Sequence, residues 1–478
     1  MAQENKELKP DICVIGAHAG GLAVAAAAAA FGTPTLLIEN SGLGGEFLRR
    51  DGSVAVQALI AAAEHAQAMR DGARFGSRAV RAGVDFGAVS AYVRDVIDAV
   101  APNFSRERFA GLGVRIIKGT ARFADAETVA VGDLSIKAGR FVLAAGSAPV
   151  IPEIPGLLDT PHLTSETVAD LADYPRHLIV IGAGAAGLEL AQAFRRLGCE
   201  VTVLEAATPL AGEDRECAAV VLDALEREGV KLRAGVKITN VRRAFARVQV
   251  AFATATGTET IEGSHLLLAA GRLPSLDGLG LDAAGIGHTA EGIVVDEHLR
   301  TTNKRVYALG DVTGAPPLPH VATYHAGVVL RQILFRTPVK VNPLAVPSVI
   351  HTDPQLARIG LLEDEARSRD RAIRVLRWPY RENDRAQAAG TTTGHIKVIT
   401  DRDGAILGAS IVGPEAGESI ATWALAISER LNIRAFGGLP VPHPSYAEVG
   451  KRAAISYLTP GLTSPRVRRI IGWLRRFG

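Results

Sequence analysis

Asp11-Ile12-Cys13-Val14-Ile15-Gly16-Ala17-His18-Ala19-Gly20-Gly21 opens with a short apolar run, turns at a glycine and leads into an alanine-rich segment. The pattern predicts a buried parallel strand, a small-residue turn and a long helix, closed by a second strand at Pro34-Thr-Leu-Leu-Ile-Glu39. The same plan recurs at Leu178-Ile-Val-Ile-Gly182, with a helix from Ala183 to Leu197 and a strand Val201-Thr-Val-Leu-Glu205. In both copies the first glycine and the terminal glutamate are 23 positions apart. One such glycine turn is a weak signal. Two, each between strand and helix with an acidic end at matched spacing, predict two dinucleotide sites.

The residue types follow from the chemistry of a pyrophosphate. The first glycine makes the tight turn, the second lets backbone approach the phosphates, and the third allows close helix–strand packing, with the anion at the helix N-terminus. Gly182, Gly184 and Gly187 meet all three needs. The first copy has Gly16 and Gly21, but His18 stands at the second position. Two outcomes are open there: the imidazole turns away or donates to a phosphate and the site fills, or binding is lost. Glu39 and Glu205 can each accept from ribose hydroxyls, and Glu205 would repel a 2′-phosphate, which favours NADH over NADPH.

Composition sets the frame around these units. At 478 residues the chain exceeds one core, and 47% hydrophobic with 22% charged residues indicate an ordinary globular protein. The mild run from Gly20 to Gly32 falls short of the roughly 18 to 20 apolar residues a membrane span needs. Met1 to Pro10 carries no apolar leader, so the cytoplasm is the expected compartment. Cys13, Cys199 and Cys217 are far apart and form no Cys-x-x-Cys pair, which argues against a zinc site or a local dithiol. No metal is expected. Between and after the copies, Gly119-Thr-Ala121-Arg-Phe123, Phe141-Val-Leu-Ala-Ala145-Gly146, Leu266-Leu-Leu-Ala-Ala-Gly271-Arg272 and Arg305-Val-Tyr-Ala-Leu-Gly310-Asp311 read as further sheet elements ending in small turns.

Together these residues resemble the FAD-dependent pyridine nucleotide–disulfide oxidoreductases, in detail the mercuric reductase and dihydrolipoamide dehydrogenase-like members, from about Asp11 to Tyr457. The resemblance implies an α/β fold with two Rossmann-like domains and an α+β C-terminal dimerisation domain. It divides the chain into an FAD-binding domain in two parts (1–150 and 272–340), an NAD(P)H-binding domain (151–271), a dimerisation domain (341–464) and a tail (465–478). It further implies Ala121 at the adenine, Asp311 at the ribitol, and a helix from His320 aimed at the flavin pyrimidine edge. Thr164-Ser-Glu-Thr-Val168, Glu382-Asn-Asp-Arg-Ala386 and Ile406-Leu-Gly-Ala-Ser-Ile-Val-Gly413 also resemble mercuric reductase-like stretches.

The family's redox motif, Gly-Gly-x-Cys-Leu-x-x-Gly-Cys-x-Pro-Ser-Lys, has no cysteine here. Gly44, Gly45, Leu48 and Gly52 match, with one residue inserted around Asp51. Phe47 and Ser53 replace the two cysteines, and Gln57 replaces the lysine. Neither a phenyl ring nor a hydroxyl can relay electrons as a disulfide, so thiol–disulfide chemistry is not expected. The lysine normally pairs with a glutamate, present here as Glu189. His443-Pro-Ser-Tyr-Ala-Glu448 keeps the family's acid/base pattern, in which a carboxylate orients an imidazole across the dimer interface. That pair either protonates an acceptor or serves only to stabilise the dimer.

The tail, Pro465-Arg-Val-Arg-Arg-Ile-Ile-Gly-Trp-Leu-Arg-Arg-Phe-Gly478, predicts an amphipathic helix with Val467, Ile470, Ile471, Leu474 and Phe477 on one face. Its five arginines account for more than the chain's net charge of +3, which would be −2 without them. It fits either an anionic membrane surface or packing on its own dimer; nucleic acid is not expected. The sequence therefore predicts a homodimeric flavoprotein in which NADH reduces FAD and the electrons pass to a non-disulfide acceptor. A quinone would suit a membrane-facing tail; a dye-like molecule, a protein or oxygen would serve without one. The competing reading is a catalytically retired nucleotide-binding scaffold of the same fold.

Overall fold

The computed structural model describes residues 6–78, 83–171, 173–369, 372–462 and 464–477. Its contacts divide the chain into two units, one of residues 1–182, 196–204 and 236–341, the other of 183–195, 205–235 and 342–478. Met1 to Asn5 and Gly478, parts of the predicted leaderless start and tail, lie outside the described residues.

In the first unit, strands Val306–Ala308, Arg140–Leu143, Ile12–Ile15, Thr35–Glu39 and Arg115–Lys118 form, in that order, a fully parallel sheet. Both faces of its middle strands are covered, as their unbroken apolar runs require: Cys13, Val14, Leu37, Phe141 and Leu143 are all inaccessible to solvent. Helix Ala19–Ala30 presents glycine and alanine to this sheet, and those small residues permit its close approach. A second parallel sheet runs Leu163–Thr164, His265–Leu268, His177–Ile181, Glu200–Glu205. The antiparallel strands Lys237–Ala244, Arg247–Thr254 and Gly257–Gly263 share a core with it through Val241, Val250, Phe252 and Leu266. The recurrence of strand, glycine turn and strand at Ile12 and His177 is thus a recurrence of parallel-sheet centres.

In the second unit, strands Ser348–Ile350, Gln355–Gly360, Ile406–Gly413, His395–Thr400 and Arg374–Pro379 form an antiparallel sheet. Helix Ala416–Ser428 belongs to its core, where Trp423 stacks on Phe436 at 4.1 Å between centroids. A buried charge centre adds to this unit. Lys397, 4% exposed, bonds Asp214 at 2.8 Å, Glu216 at 2.9 Å and Glu363 at 2.8 Å. Burial alone would pull its ammonium down, but three carboxylates outweigh that and hold it above its ordinary value. Among the described residues no helix is long and apolar enough to cross a membrane.

Candidate functional site

The first glycine turn has the geometry its chemistry requires. Gly16 sits at φ +105°, and a Cβ there would lie 2.3 Å from the Ala144 carbonyl oxygen. A Cβ on Gly21 would lie 2.0 Å from the Gly16 oxygen, so the helix can approach its strand only without one. His18 occupies the N-cap of the helix in extended conformation. Its ring packs over Gly146, with Cε1 2.6 Å from where a Cβ on that glycine would stand. Gly146, at φ +71°, is therefore matched to the histidine as well as to its own turn. A cleft of about 640 Å³ remains, with Gly16, His18, Asn40, Ala121, Ala145 and Asp277 in its wall.

Glu39 is 2% exposed and its carboxylate is already engaged. It accepts from the Gly42 N–H at 2.6 Å and from Arg106 Nη2 at 3.0 Å. Arg106, 67 residues away, gave no sequence signal. The Gly310–Asp311 turn is held from two sides. His325, buried on helix Pro319–Phe335, accepts from the Gly310 N–H at 3.2 Å, and burial pushes its imidazole down to about 4, leaving it neutral. Ser147 donates to Asp311 at 2.5 Å; Arg272 donates to the Ser147 hydroxyl at 2.8 Å and to Glu166 at 2.7 Å. Gly271, at φ +107°, makes the turn before that arginine. Glu166, Arg272, Ser147 and Asp311 form one polar chain whose members come from four segments. The sequence pointed to Arg272 and Asp311 as site residues and to Glu166 only as part of a family-like stretch, and gave no sign of Ser147 or His325.

The cysteine-free stretch is two helices, Gly45–Asp51 and Ser53–Asp71, broken at Gly52. Gly44, at φ +66°, precedes the first and donates to the Phe104 oxygen at 2.8 Å. Gly52 has φ +73°, its N–H closes on the Leu48 carbonyl at 3.1 Å, and a Cβ there would press on the Ser165 oxygen at 3.0 Å. The left-handed residue lets one helix end and the next begin. Phe47 is 6% exposed and its ring packs on Phe104 at 4.8 Å, while Ser53 and Gln57 are exposed on the second helix. Cys13, Cys199 and Cys217 are all free and buried, and burial pushes the Cys13 and Cys217 thiols up.

In the second unit, space above Gly184 is open, Gly187 is buried, and Glu205 accepts from the Ala183 N–H at 2.7 Å and the Ala207 N–H at 2.8 Å. In the first, Gly182 at φ +107° closes on the Ala269 oxygen as Gly16 does on Ala144. Glu189 is half-buried, and desolvation pushes its carboxyl up to about 7, opposed by the His351 N–H it accepts at 2.7 Å. Among the described residues no lysine or arginine pairs with it. His443 Nδ1 lies 3.2 Å from both Glu448 oxygens, and its Nε2 lies 3.8 Å from Asp384. Burial opposes, but the Ser445 N–H and His443 outweigh it and hold the Glu448 carboxyl below its ordinary value. Asp384 lies in the family-like stretch Glu382–Ala386, but its place beside His443, 59 residues on, follows no local pattern.

The donor set suits FAD at the first turn: Gly16 makes the tight turn, Gly21 lets the helix close on its strand, the helix N-terminus has His18 at its N-cap, and Asp311 is fixed by Ser147. Known proteins agree with that chemistry. The pyridine nucleotide-disulphide oxidoreductase family matches residues 10–326, and its dimerisation domain matches residues 346–454. Dihydrolipoyl dehydrogenase of Geobacillus stearothermophilus is 31% identical over 456 residues, covering 94% of this chain and 96% of that one. Mercuric reductase of Streptomyces lividans is 32% identical over 455 residues, covering 94% and 96%. The Cu(II) complex of the HOCl-induced flavoprotein disulfide reductase RclA from Escherichia coli superposes with a TM-score of 0.82 at 25% identity, covering 94% of this chain and 99% of that one. The family uses FAD and NAD(P)H, and with both of its domains matched along nearly the whole length, this chain belongs to the pyridine nucleotide-disulphide oxidoreductases.

Proposed function

We propose that the protein is an FAD-dependent NADH oxidoreductase that delivers electrons to a non-disulfide acceptor, working as a homodimer. The observation that carries this reading is Phe47, buried against Phe104 where the family's motif has its first cysteine, with Ser53 at the second and no accessible thiol elsewhere. FAD, when bound, supplies hydride acceptance and onward electron transfer. The chain's own residues do the rest. Gly16 makes the turn and Gly21 lets the helix N-terminus approach, and Arg272 with Ser147 fixes Asp311 for the ribitol. Glu205 repels a 2′-phosphate and so favours NADH. Glu189, with only neutral Gln57 where the family has its lysine, holds a proton near neutral pH. His443, oriented by Glu448, delivers a proton to the acceptor. A quinone is the acceptor that suits a membrane-facing tail.

The test is anaerobic NADH titration of the purified protein, followed by acceptor assays before and after iodoacetamide. Bleached flavin with thiol-insensitive quinone reduction is expected. Turnover of oxidised lipoamide, glutathione disulfide or mercuric ion, lost on thiol modification, would overturn the reading. The scaffold alternative draws on Glu39, whose carboxylate is already engaged by Arg106 and Gly42. Protein that is colourless, or whose flavin NADH does not bleach, would establish it.

A further inference from the structure

Helix Pro465–Leu474 begins on a built cap, with proline in its first turn and Ser464 Oγ accepting from the Val467 N–H at 3.4 Å. At about 100° per residue, Val467, Ile470, Ile471, Trp473 and Leu474 fall in one arc, with Arg466 near its edge, and Arg468 and Arg469 in the other; Arg475, Arg476 and Phe477 follow just past the helix end. The apolar arc and Phe477 face solvent: Ile470 is 56% exposed, Ile471 50%, Trp473 56%, Leu474 54% and Phe477 72%. Trp473 and Phe477 meet edge to face at 4.8 Å, forming one aromatic edge. A single exposed leucine needs no cause; four apolar side chains on one helix face, with Phe477 adjoining them, do.

Charge selects the occupant. Residues 465–477 contain five arginines and no acid. A nucleic acid would use the arginines and leave the apolar arc wet, whereas a neutral apolar groove would use the arc and leave the arginines unmatched. An anionic bilayer surface uses both, with the arc at the acyl boundary and the guanidinium groups among the headgroups. We propose that Pro465–Phe477 is a docking helix for an anionic lipid bilayer. This holds whichever acceptor the flavin serves.

The experiment is flotation of the full-length protein with vesicles of mixed phosphatidylglycerol and phosphatidylcholine, against phosphatidylcholine alone. Brominated phosphatidylglycerol serves as a quencher of Trp473, since Trp423 is 3% exposed and buried in the sheet core. Binding to anionic vesicles only, weakened by salt and accompanied by quenching, is expected. Arg468→Gln with Arg475→Gln should weaken it roughly 30-fold, and Trp473→Ser with Leu474→Ser should abolish both binding and quenching. Because these side chains are exposed, unchanged circular dichroism serves as the folding control. Equal binding to neutral vesicles, no binding to anionic ones, or binding untouched by either pair of substitutions would overturn the proposal. Conversion of a dimer to a monomer on deleting residues 465–478 would also overturn it, because the helix would then serve a second copy of the chain.

Discussion

Replacing Glu189 by glutamine removes one charge and almost no volume. In the native protein desolvation pushes this carboxyl up to about 7 from 4.5, and the His351 N–H at 2.7 Å opposes the rise. An acid whose folded pKa lies above its unfolded value binds its proton more tightly when folded. Its contribution to stability is full below about 4.5 and is lost as pH rises through about 7. The rise from 4.5 to about 7 sets an upper figure of ~3.5 kcal/mol, and solvent at this half-buried side chain brings it toward ~2. Glutamine still accepts from the His351 N–H and never ionises. The wild type and Glu189→Gln should therefore unfold alike below about pH 4, and the wild type should be less stable by about 2 to 3 kcal/mol near pH 8.5. Urea unfolding followed by tryptophan emission measures this, because Trp378, Trp423 and Trp473 all lie in the second unit with Glu189. Subtracting the two profiles cancels every other titrating group. A difference that does not change with pH would refute the desolvation argument. A wild type that gains stability on the mutant as pH rises would show the carboxylate paired with a cation.

Two further substitutions probe the networks. Lys397→Met strands Asp214, 4% exposed, and Glu363 without their cation and should destabilise the second unit by ~3 to 5 kcal/mol, read by the same tryptophan transition. Arg272→Met breaks charged hydrogen bonds to Glu166 and Ser147, freeing Ser147 to turn from Asp311; flavin retention, measured by dilution and fluorescence of released FAD, should weaken about 10- to 100-fold.

What the sequence made legible was local and periodic. Gly16 to Glu39 and Gly182 to Glu205 each lie within one strand–helix–strand unit, so spacing alone carries the fold. Pro465 at a helix start and the apolar arc beyond it are likewise written in neighbouring residues. What stayed hidden depends on residues far apart in the chain. Arg106 reaches Glu39 from 67 positions away, Asp384 faces His443 from 59, and Lys397 gathers carboxylates from 214, 216 and 363. No periodicity connects such positions, because each is set by how separate elements pack. Glu189 shows both sides. Its identity matched a pattern, but its displacement to about 7 comes from surrounding atoms that exclude water.

The cysteine-free stretch differs from its relatives' motif by more than two side chains. Four residues separate the cysteines of that motif, and five separate Phe47 from Ser53. A continuous helix would shift the second position by about 100° for one added residue. Here the helix instead ends at Gly52, whose left-handed backbone lets a new helix begin at Ser53, and whose missing side chain leaves room for the Ser165 carbonyl. Phe47 is buried against Phe104 on the near side of that break, and Ser53 is exposed on the far side. Cysteines placed at 47 and 53 would thus stand on separate helices, the first buried and the second exposed. The glycine break and the aromatic pair hold this stretch together: Phe47 packs on Phe104 before Gly52, and Ser53 opens the next helix after it.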